Sequence, residues 1–140
     1  VMRIGVINGP NLNLLGIREP GVYGDLTLDK IIEDLKSSFI SHEILDFHSN
    51  DEGELIDIIQ KWGMTLDGIV INPGGYSHTS VAIRDAISSV SAPVIEVHIS
   101  NIHSREEFRH TTITGGACKA VISGLGARGY SVALSSLVEG

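Results

Sequence analysis

The feature that most constrains the fold of this chain is the regular alternation of short β-branched runs with amphipathic stretches. A β-branched run of about four to eight residues predicts a strand. Apolar residues spaced three and four apart predict a helix with one buried face. Strand patterns fall at about residues 3–8, 44–48, 67–72, 94–98 and 119–123, and a helical pattern follows each of them. Because helices join successive strands, the strands are expected to run parallel, with helices on both faces of the sheet.

The helix starts are also marked in the sequence. Thr27 can cap the first helix, and Asp51 with Glu54 has the spacing of a capping box at the second. Ser77 or Thr79 is expected to cap the third helix. Ser104, followed by two acidic residues, resembles the start of a fourth, and the last helix is expected at about residues 130–138. Five β/α units of this kind predict a three-layer α/β/α sandwich with a flavodoxin-like five-stranded parallel sheet, in the order 2-1-3-4-5.

Composition supports this architecture and narrows the function. The chain has 140 residues, which favours a single catalytic domain over residues 1–140. It is 42% hydrophobic but only 5% aromatic, so the core must be aliphatic, as suits a parallel sheet. The net charge is −7 and the basic residues are scattered, which argues against binding to nucleic acid or a membrane surface. The single cysteine, Cys118, and the absence of a leader or membrane-spanning pattern predict a cytoplasmic protein.

Polar residues cluster where three of the predicted strands end. The segments that follow strands one, three and four are residues 11–23, 72–78 and 98–109, and each contains side chains suited to binding or proton transfer. In the order 2-1-3-4-5 these three strand ends surround the point where the direction of winding reverses. Ligands bind at that point in open α/β sheets. The sequence therefore predicts a functional site at this edge.

The fourth strand ends in a candidate acid/base pair. Side chains of a strand repeat their direction every two residues, so Glu96 and His98 are expected on the same side. A carboxylate beside an imidazole can select its tautomer and help it to carry a proton. A buried structural histidine is the alternative explanation. Arg105 and Arg109 follow closely, and arginines beside the site of an acidic protein indicate an anionic ligand.

A candidate base lies in the glycine-rich segment at residues 14–24, which is long enough to be a lid or a binding loop. Tyr23 would need its pKa lowered from about 10 to about 7, which corresponds to roughly 4 kcal/mol. One arginine at about 4 Å supplies roughly that attraction at an effective dielectric constant of about 20. Burial of the phenolate opposes the shift, so two arginines, Arg18 and Arg105, are more plausible than one. The alternative is an exposed loop pair with no chemistry.

Asn72, Gly74, Gly75 and His78 follow the third strand and could hydrogen-bond a polar substrate, although a simple tight turn explains the same residues. Metal binding is not expected, because the histidines lack ligand spacing and no thiol cluster exists. The glycines at 124, 126 and 129 match a dinucleotide-binding pattern by letter. No further strand or ribose-binding acid follows at the required distance, so we interpret them as the last strand-to-helix turn. The segments after strands one, three and four, residues 11–23, 72–78 and 98–109, contain no lysine that could form a Schiff base.

Six clusters of residues, taken together, resemble type II 3-dehydroquinate dehydratase. The most specific strings are Asn8-Gly9-Pro10-Asn11, Asn72-Pro73-Gly74-Gly75-Tyr76-Ser77-His78 and Glu96-Val97-His98-Ile99-Ser100-Asn101. The full clusters are residues 7–16, 18–24, 49–57, 71–80, 96–101 and 105–110. Because these motifs occur in order along nearly the whole chain, they are far more specific together than any one alone.

The resemblance implies a flavodoxin-like enzyme of the shikimate and quinate routes. It would interconvert 3-dehydroquinate and 3-dehydroshikimate plus water without metal, cofactor or Schiff base. Tyr23 would be the base, Arg18 and Arg105 would favour its phenolate, and His98, oriented by Glu96, would protonate the departing hydroxyl. Asn11 would hold a water that stabilises the enolate oxygen. The implied substrate-binding residues are Asn72, His78, Asp85, Ile99, Ser100 and Arg109.

The resemblance also implies a homo-oligomer, usually a dodecamer of four trimers, in which Asp85 acts on a neighbouring subunit's site. Two departures from the family pattern stand out. Residues 111–116 replace a second histidine, a serine and an aromatic residue, which we expect to affect loop packing more than chemistry. His48 stands where glutamine is common.

Two other functional classes remain open on the sequence alone. A non-catalytic or flavin-binding flavodoxin-like module would hold a chromophore or a phosphate, but the first strand's loop lacks a Ser/Thr-rich phosphate cradle. A structural oligomer that has lost activity is the third possibility, and the retention of Arg18, Tyr23 and His98 argues against it.

Overall fold

The computed structural model describes residues 1–17 and 26–139 and contains the expected sheet. Its five strands are β1 (Arg3–Asn8), β2 (Glu43–His48), β3 (Gly68–Asn72), β4 (Val94–His98) and β5 (Ala120–Ser123). Their order is β2-β1-β3-β4-β5, and every neighbouring pair is parallel. All residues of β3 and β4 are buried, as befits central strands with helices on both faces. The predicted fold class and strand order are confirmed.

Helices cover the two faces of the sheet in pairs. They are α1 (Leu28–Ser38), α2 (Glu52–Thr65), α3 (Val81–Ser89) and α4 (Arg128–Glu139). Buried residues of α1 and α4 form one hydrophobic cluster with the sheet, and those of α2 and α3 form a second on the opposite face. None of these helices, in the described part of the chain, has the length and apolarity needed to cross a membrane.

Two of the predicted helix caps are confirmed. The Thr27 side chain accepts a hydrogen bond from the Lys30 backbone N–H at 3.2 Å, and Asp51 accepts one from Glu54 at 3.0 Å. The capping box at α2 is only half formed, because the Glu54 carboxylate accepts from the Ser49 hydroxyl instead of the Asp51 N–H. The Asp51 N–H donates to the Ser49 hydroxyl oxygen at 2.9 Å.

The predicted cap of α3 at Ser77 or Thr79 is wrong. Residues Gly74–His78 form a short 3-10 helix that extends the turn after β3. As a result α3 begins later, and the Ser80 side chain accepts the hydrogen bond from the Ile83 N–H at 2.9 Å.

The predicted helix at Ser104 is also wrong. The described chain between β4 and β5 forms three 3-10 helices, Ile102–Ser104, Glu107–Arg109 and Thr114–Ala117, and no α-helix. Ser104 ends the first of them, and Asn101 caps it by accepting from the His103 N–H at 3.0 Å. Phe108 is 67% exposed and no residue of Glu107–Arg109 is buried, so the segment after Ser104 packs no apolar face on the sheet. Short helices depend on such packing for their stability.

Close backbone contacts set the positions of the strand ends that form the site. The Gly9 N–H donates to the Asn72 carbonyl at 2.8 Å, which ties the exit of β1 to the exit of β3. A Cβ at Gly9 would lie 2.5 Å from the Pro73 carbonyl oxygen, so only glycine permits this approach.

The glycine-rich turn after β5 supports the end of β4. The Gly124 N–H donates to the His98 carbonyl at 3.2 Å, and the Gly126 N–H donates to the Ile99 carbonyl at 3.0 Å. Both glycines have positive φ angles, 93° and 63°, that other residues rarely adopt. The turn therefore holds the backbone that presents His98, in agreement with its interpretation as the last strand-to-helix turn.

Candidate active site

The ends of β1, β3 and β4 surround a cleft at the predicted edge of the sheet. Its lining includes polar side chains from the exits of β3 and β4 and apolar side chains that form its floor. The described residues that line it are Pro10, Leu12, Asn72, Gly74, His78, His98, Ile99, Ser100, Ile102, Arg105 and Arg109. The structure thus brings together eight residues that the sequence singled out. It adds Leu12 and Ile102, which a sequence search for chemistry passes over because they are apolar.

Glu96 and His98 form a hydrogen-bonded pair at the end of β4. Oε2 of Glu96 lies 2.7 Å from Nε2 of His98, and both side chains are buried. The prediction that they point to the same side is confirmed. Because Nε2 is engaged by the carboxylate, Nδ1 is the ring nitrogen left to act in the cleft that His98 lines. This is the arrangement of an oriented general acid or base.

The carboxylate of Glu96 has two further partners that the sequence analysis missed. The Thr112 hydroxyl donates to Oε2 at 2.6 Å, and the Thr114 hydroxyl donates to Oε1. Both threonines come from the 111–116 segment that departs from the family pattern, so that departure touches the chemistry as well as the packing. No local sequence signal identifies them, because the contacts span 16 and 18 residues.

Burial and hydrogen bonding act in opposite directions on Glu96. Burial alone would raise the pKa of this carboxyl group, since charge is poorly solvated inside the protein. The hydrogen bonds from His98, Thr112 and Thr114 favour the charged form, and together they hold the pKa below its usual range. Glu96 is therefore a carboxylate at neutral pH.

Asn72 is held at the cleft by a buried polar network. Its Oδ1 accepts from the Gly74 N–H at 3.1 Å, and its Nδ2 donates to the Tyr130 hydroxyl at 3.0 Å. The Tyr130 hydroxyl in turn donates to Oδ1 of Asn8 at 2.5 Å. Tyr130 is fully buried, and burial raises the pKa of its hydroxyl, so it stays protonated as a donor. The sequence analysis placed Tyr130 only at the start of the last helix and missed this role.

His78 faces His98 across the cleft. Their rings are nearly parallel, with centroids 6.1 Å apart. Nδ1 of His78 lies 2.8 Å from the Thr111 carbonyl, which selects the tautomer with its proton on Nδ1. Burial lowers the pKa of His78, and nearby His98 and Arg109 lower it further against the raising effect of Thr111. His78 is thus a neutral imidazole whose Nε2 can accept a hydrogen bond.

Two arginines give the cleft its positive charge. Arg105 Nη1 donates to the Ser100 hydroxyl at 3.3 Å, and Arg109 Nε lies 2.9 Å from the Glu106 carboxylate. Glu106 also lies 3.7 Å from Arg105 Nε, so one exposed acid neighbours both guanidinium groups. The other N–H groups of the Arg109 guanidinium can hold a carboxylate ligand in a bidentate manner. No α-helix begins at Ser104 in the described chain, so the free N–H groups of a helix start do not contribute here.

The other predicted residues either do not line this cleft or lie outside the described chain. Asn11 is exposed with a positive φ of 70°, and its backbone N–H donates to the Asn50 side chain at 2.9 Å. Asp85 is exposed on α3 and does not line the cleft. Arg18 and Tyr23 lie outside the described residues. Within residues 1–17 and 26–139, no group of histidine, cysteine and acidic side chains is arranged to hold a metal ion.

Known proteins resemble this chain over nearly its whole length. Residues 2–138 match the family model described as dehydroquinase class II. The chain is 52% identical over 140 residues to the 3-dehydroquinate dehydratase of Aliarcobacter butzleri, covering 99% of this chain and 85% of that protein. It is 49% identical over 141 residues to the 3-dehydroquinate dehydratase of Carboxydothermus hydrogenoformans, covering 99% and 91%.

Solved structures show the same similarity. The type II dehydroquinase of Butyrivibrio crossotus superposes with a TM-score of 0.95 at 48% identity, covering 98% of this chain and 97% of that one. The type II dehydroquinase of Propionibacterium acnes gives 0.94 at 39% identity, covering 100% and 98%. On the match of sequence and fold, the chain belongs to the class II dehydroquinase family.

Proposed function

We propose that this enzyme interconverts 3-dehydroquinate and 3-dehydroshikimate plus water, as a hydro-lyase of the shikimate and quinate routes. The observation that supports this best is the buried Glu96–His98 pair at 2.7 Å beside a cleft that also contains Asn72, His78 and two arginines. The relatives named above are 3-dehydroquinate dehydratases, and each matches 99% of this chain. The proposed catalytic unit is one domain over residues 1–140.

The first step removes a proton next to the substrate ketone. Tyr23 acts as the base in its phenolate form, and Arg18 and Arg105 stabilise that form. The proton passes to the phenolate oxygen, and the electrons of the broken C–H bond form the enolate. Asn11 holds a water that hydrogen-bonds the enolate oxygen, an interaction of the oxyanion type.

The second step expels the hydroxyl. The His98 imidazolium gives its Nδ1 proton to the departing oxygen, the C–O bond breaks, and the enolate electrons form the conjugated enone and water. Glu96 keeps its hydrogen bond to Nε2 throughout and stabilises the charged ring. Proton transfer from Tyr23 back to His98 then restores both groups. Acid catalysis of this type typically contributes about 10² to 10⁴ in rate.

Binding uses the remaining cleft residues. The substrate carboxylate is bound by Arg109, because a guanidinium matches its geometry. The backbone at Ile99 and Ser100 binds the same carboxylate. Asn72 and neutral His78 hydrogen-bond the ring hydroxyls. All five residues line the cleft, which supports this division. The side chains of Asn72 and His78 are held in place by Tyr130 and by the Thr111 carbonyl.

The enzyme is also proposed to assemble in the cytoplasm as a dodecamer, a tetramer of trimers, with Asp85 completing a neighbouring subunit's site. The exposed position of Asp85 on α3 supports this role. Size-exclusion chromatography with light scattering measures the assembly. A species near the 15.0 kDa of one protomer would contradict the role of Asp85.

The reaction is tested by following the enone absorbance in the ultraviolet after 3-dehydroquinate is added. Wild type and Tyr23→Phe are compared, each with EDTA and after borohydride treatment, with circular dichroism to show that both are folded. The absorbance should rise in wild type despite both treatments and stay flat in the variant. No rise in folded wild type would remove the proposed reaction, and loss after borohydride would instead indicate a Schiff base.

A further inference from the structure

The carboxylate beside His98 is satisfied by hydroxyl groups from outside its own strand. Oε1 of Glu96 accepts from Thr114, and Oε2 accepts from both Thr112 and His98. We propose that Thr112 and Thr114 are positioning residues for catalysis, which keep Glu96 ionised and aimed at Nε2 so that His98 can hold and deliver its proton. This inference rests on the proposed function and adds two residues to its machinery.

The hydrogen-bond directions support this role. The Thr112 oxygen accepts from the Gly115 backbone N–H at 3.0 Å, which leaves the single hydroxyl proton for donation to Glu96. Thr114 is fully buried, and its hydroxyl lies 3.3 Å from that of Thr112. Its strongest available acceptor is therefore the charged carboxylate.

The charge environment makes these donors necessary. Glu96 is fully buried, so its ionised form needs compensation by hydrogen bonds. The titratable groups that face it are His98 on its own strand, His78 from the β3 exit and Cys118 from the segment before β5. The histidines are neutral or pass protons during the reaction, so neither is a permanent counter-ion. The two hydroxyls are constant donors through the whole cycle.

The segment is anchored independently of these hydroxyls, which makes the test clean. The Ile113 N–H donates to the Ser77 carbonyl at 2.6 Å, and Arg84 Nη1 donates to the Ile113 carbonyl at 2.7 Å. Thr114→Val keeps the side-chain shape, so its backbone is expected to stay in place. The matched control is Thr65→Val, which removes a threonine hydroxyl that bonds the Lys61 carbonyl on α2.

The experiment measures kcat and KM for 3-dehydroquinate. In Thr114→Val, kcat is expected to fall about tenfold or more with KM within about twofold, the loss typical of one hydrogen bond to a charged group. Thr114→Ser should restore kcat, and Thr65→Val should match wild type.

A double-mutant cycle separates positioning from a purely structural effect. Because Thr114 acts through Glu96, adding Thr114→Val to Glu96→Gln should change kcat by less than about twofold. An equal loss of kcat in both backgrounds would overturn the inference.

A substrate-free readout keeps this result distinct from the reaction itself. Carbon-13 NMR titration of the Glu96 carboxyl should show a higher pKa in Thr114→Val than in wild type, because one hydrogen bond to the charged form is lost. An unchanged titration would overturn the inference whatever the activity. A shifted titration in an enzyme that leaves 3-dehydroquinate untouched would refute the proposed function and support the role of Thr114.

Discussion

Replacing Tyr130 by phenylalanine should weaken both the fold and substrate binding. The Tyr130 hydroxyl donates to Asn8 and accepts from Asn72, and it is buried where water does not reach it. Tyr130→Phe leaves two buried polar groups without that partner. Each such group costs about 1–3 kcal/mol, so the free energy of unfolding should fall by about 2–4 kcal/mol once some relaxation is allowed.

The size of the effect can be expressed as a melting temperature. At about 2.1 cal/mol/K per residue, the 140-residue chain has an unfolding entropy near 0.3 kcal/mol/K. The expected loss therefore lowers Tm by about 7–14 °C. Because Asn72 lines the cleft, KM for the substrate should rise as well.

The assay is thermal and urea unfolding of Tyr130→Phe beside the matched control Tyr76→Phe. The Tyr76 hydroxyl donates to the Asn50 carbonyl at 3.1 Å at an exposed position, so its loss should cost less than about 1 kcal/mol. Equal stability of the two variants would refute the argument that the buried network stabilises the fold.

Three further predictions concern single residues. Gly124→Ala should lower stability by about 1–3 kcal/mol in thermal unfolding, because its φ is 93° and the new Cβ would lie 3.1 Å from Asn101 Cβ, and an unchanged Tm would contradict this. NMR titration should place the pKa of His78 below 6.5, since burial lowers it. The folded state then binds fewer protons than the unfolded state, so this contribution to stability is present above pH 6.5 and is lost as the pH falls through the folded pKa. A titration midpoint above pH 6.5 would show instead that the folded protein stabilises the charged form of His78. Burial raises the pKa of Cys118 to about 12, so a thiol reagent at about pH 8 should react far faster with the urea-unfolded chain than with the folded one, and equal rates would contradict this.

Prediction from the sequence succeeded where a local pattern of apolar residues matches the face that packing buries. The strand runs and the apolar faces of α1 to α4 predicted the layers and strand order, because each buried face has a period set by its own backbone. It failed between β4 and β5, where polarity resembled a helix start but no apolar face existed to stabilise one.

The same division applies to the site. Glu96 and His98 are two residues apart on one strand, so the pleat alone predicted that they would meet. The proximity of three strand ends followed from the expected strand order. Tyr23 as a base favoured by Arg18 was a hypothesis from their shared loop, and the resemblance to a family gave them their roles in the reaction. Both roles stay predictions, since the two residues lie outside the described chain.

By itself, then, the sequence determined the strands, four of the five expected helices, the parallel direction of the strands and the edge of the sheet where the candidate residues gather, because these follow from side-chain period and chain connectivity. Only the tertiary structure decided which groups complete the site. Thr112 and Thr114 reach Glu96 across 16 and 18 residues, and Tyr130 reaches Asn8 across 122. Hydrogen bonds over such separations depend on how the loops and helices pack, and a local sequence pattern holds no record of that packing.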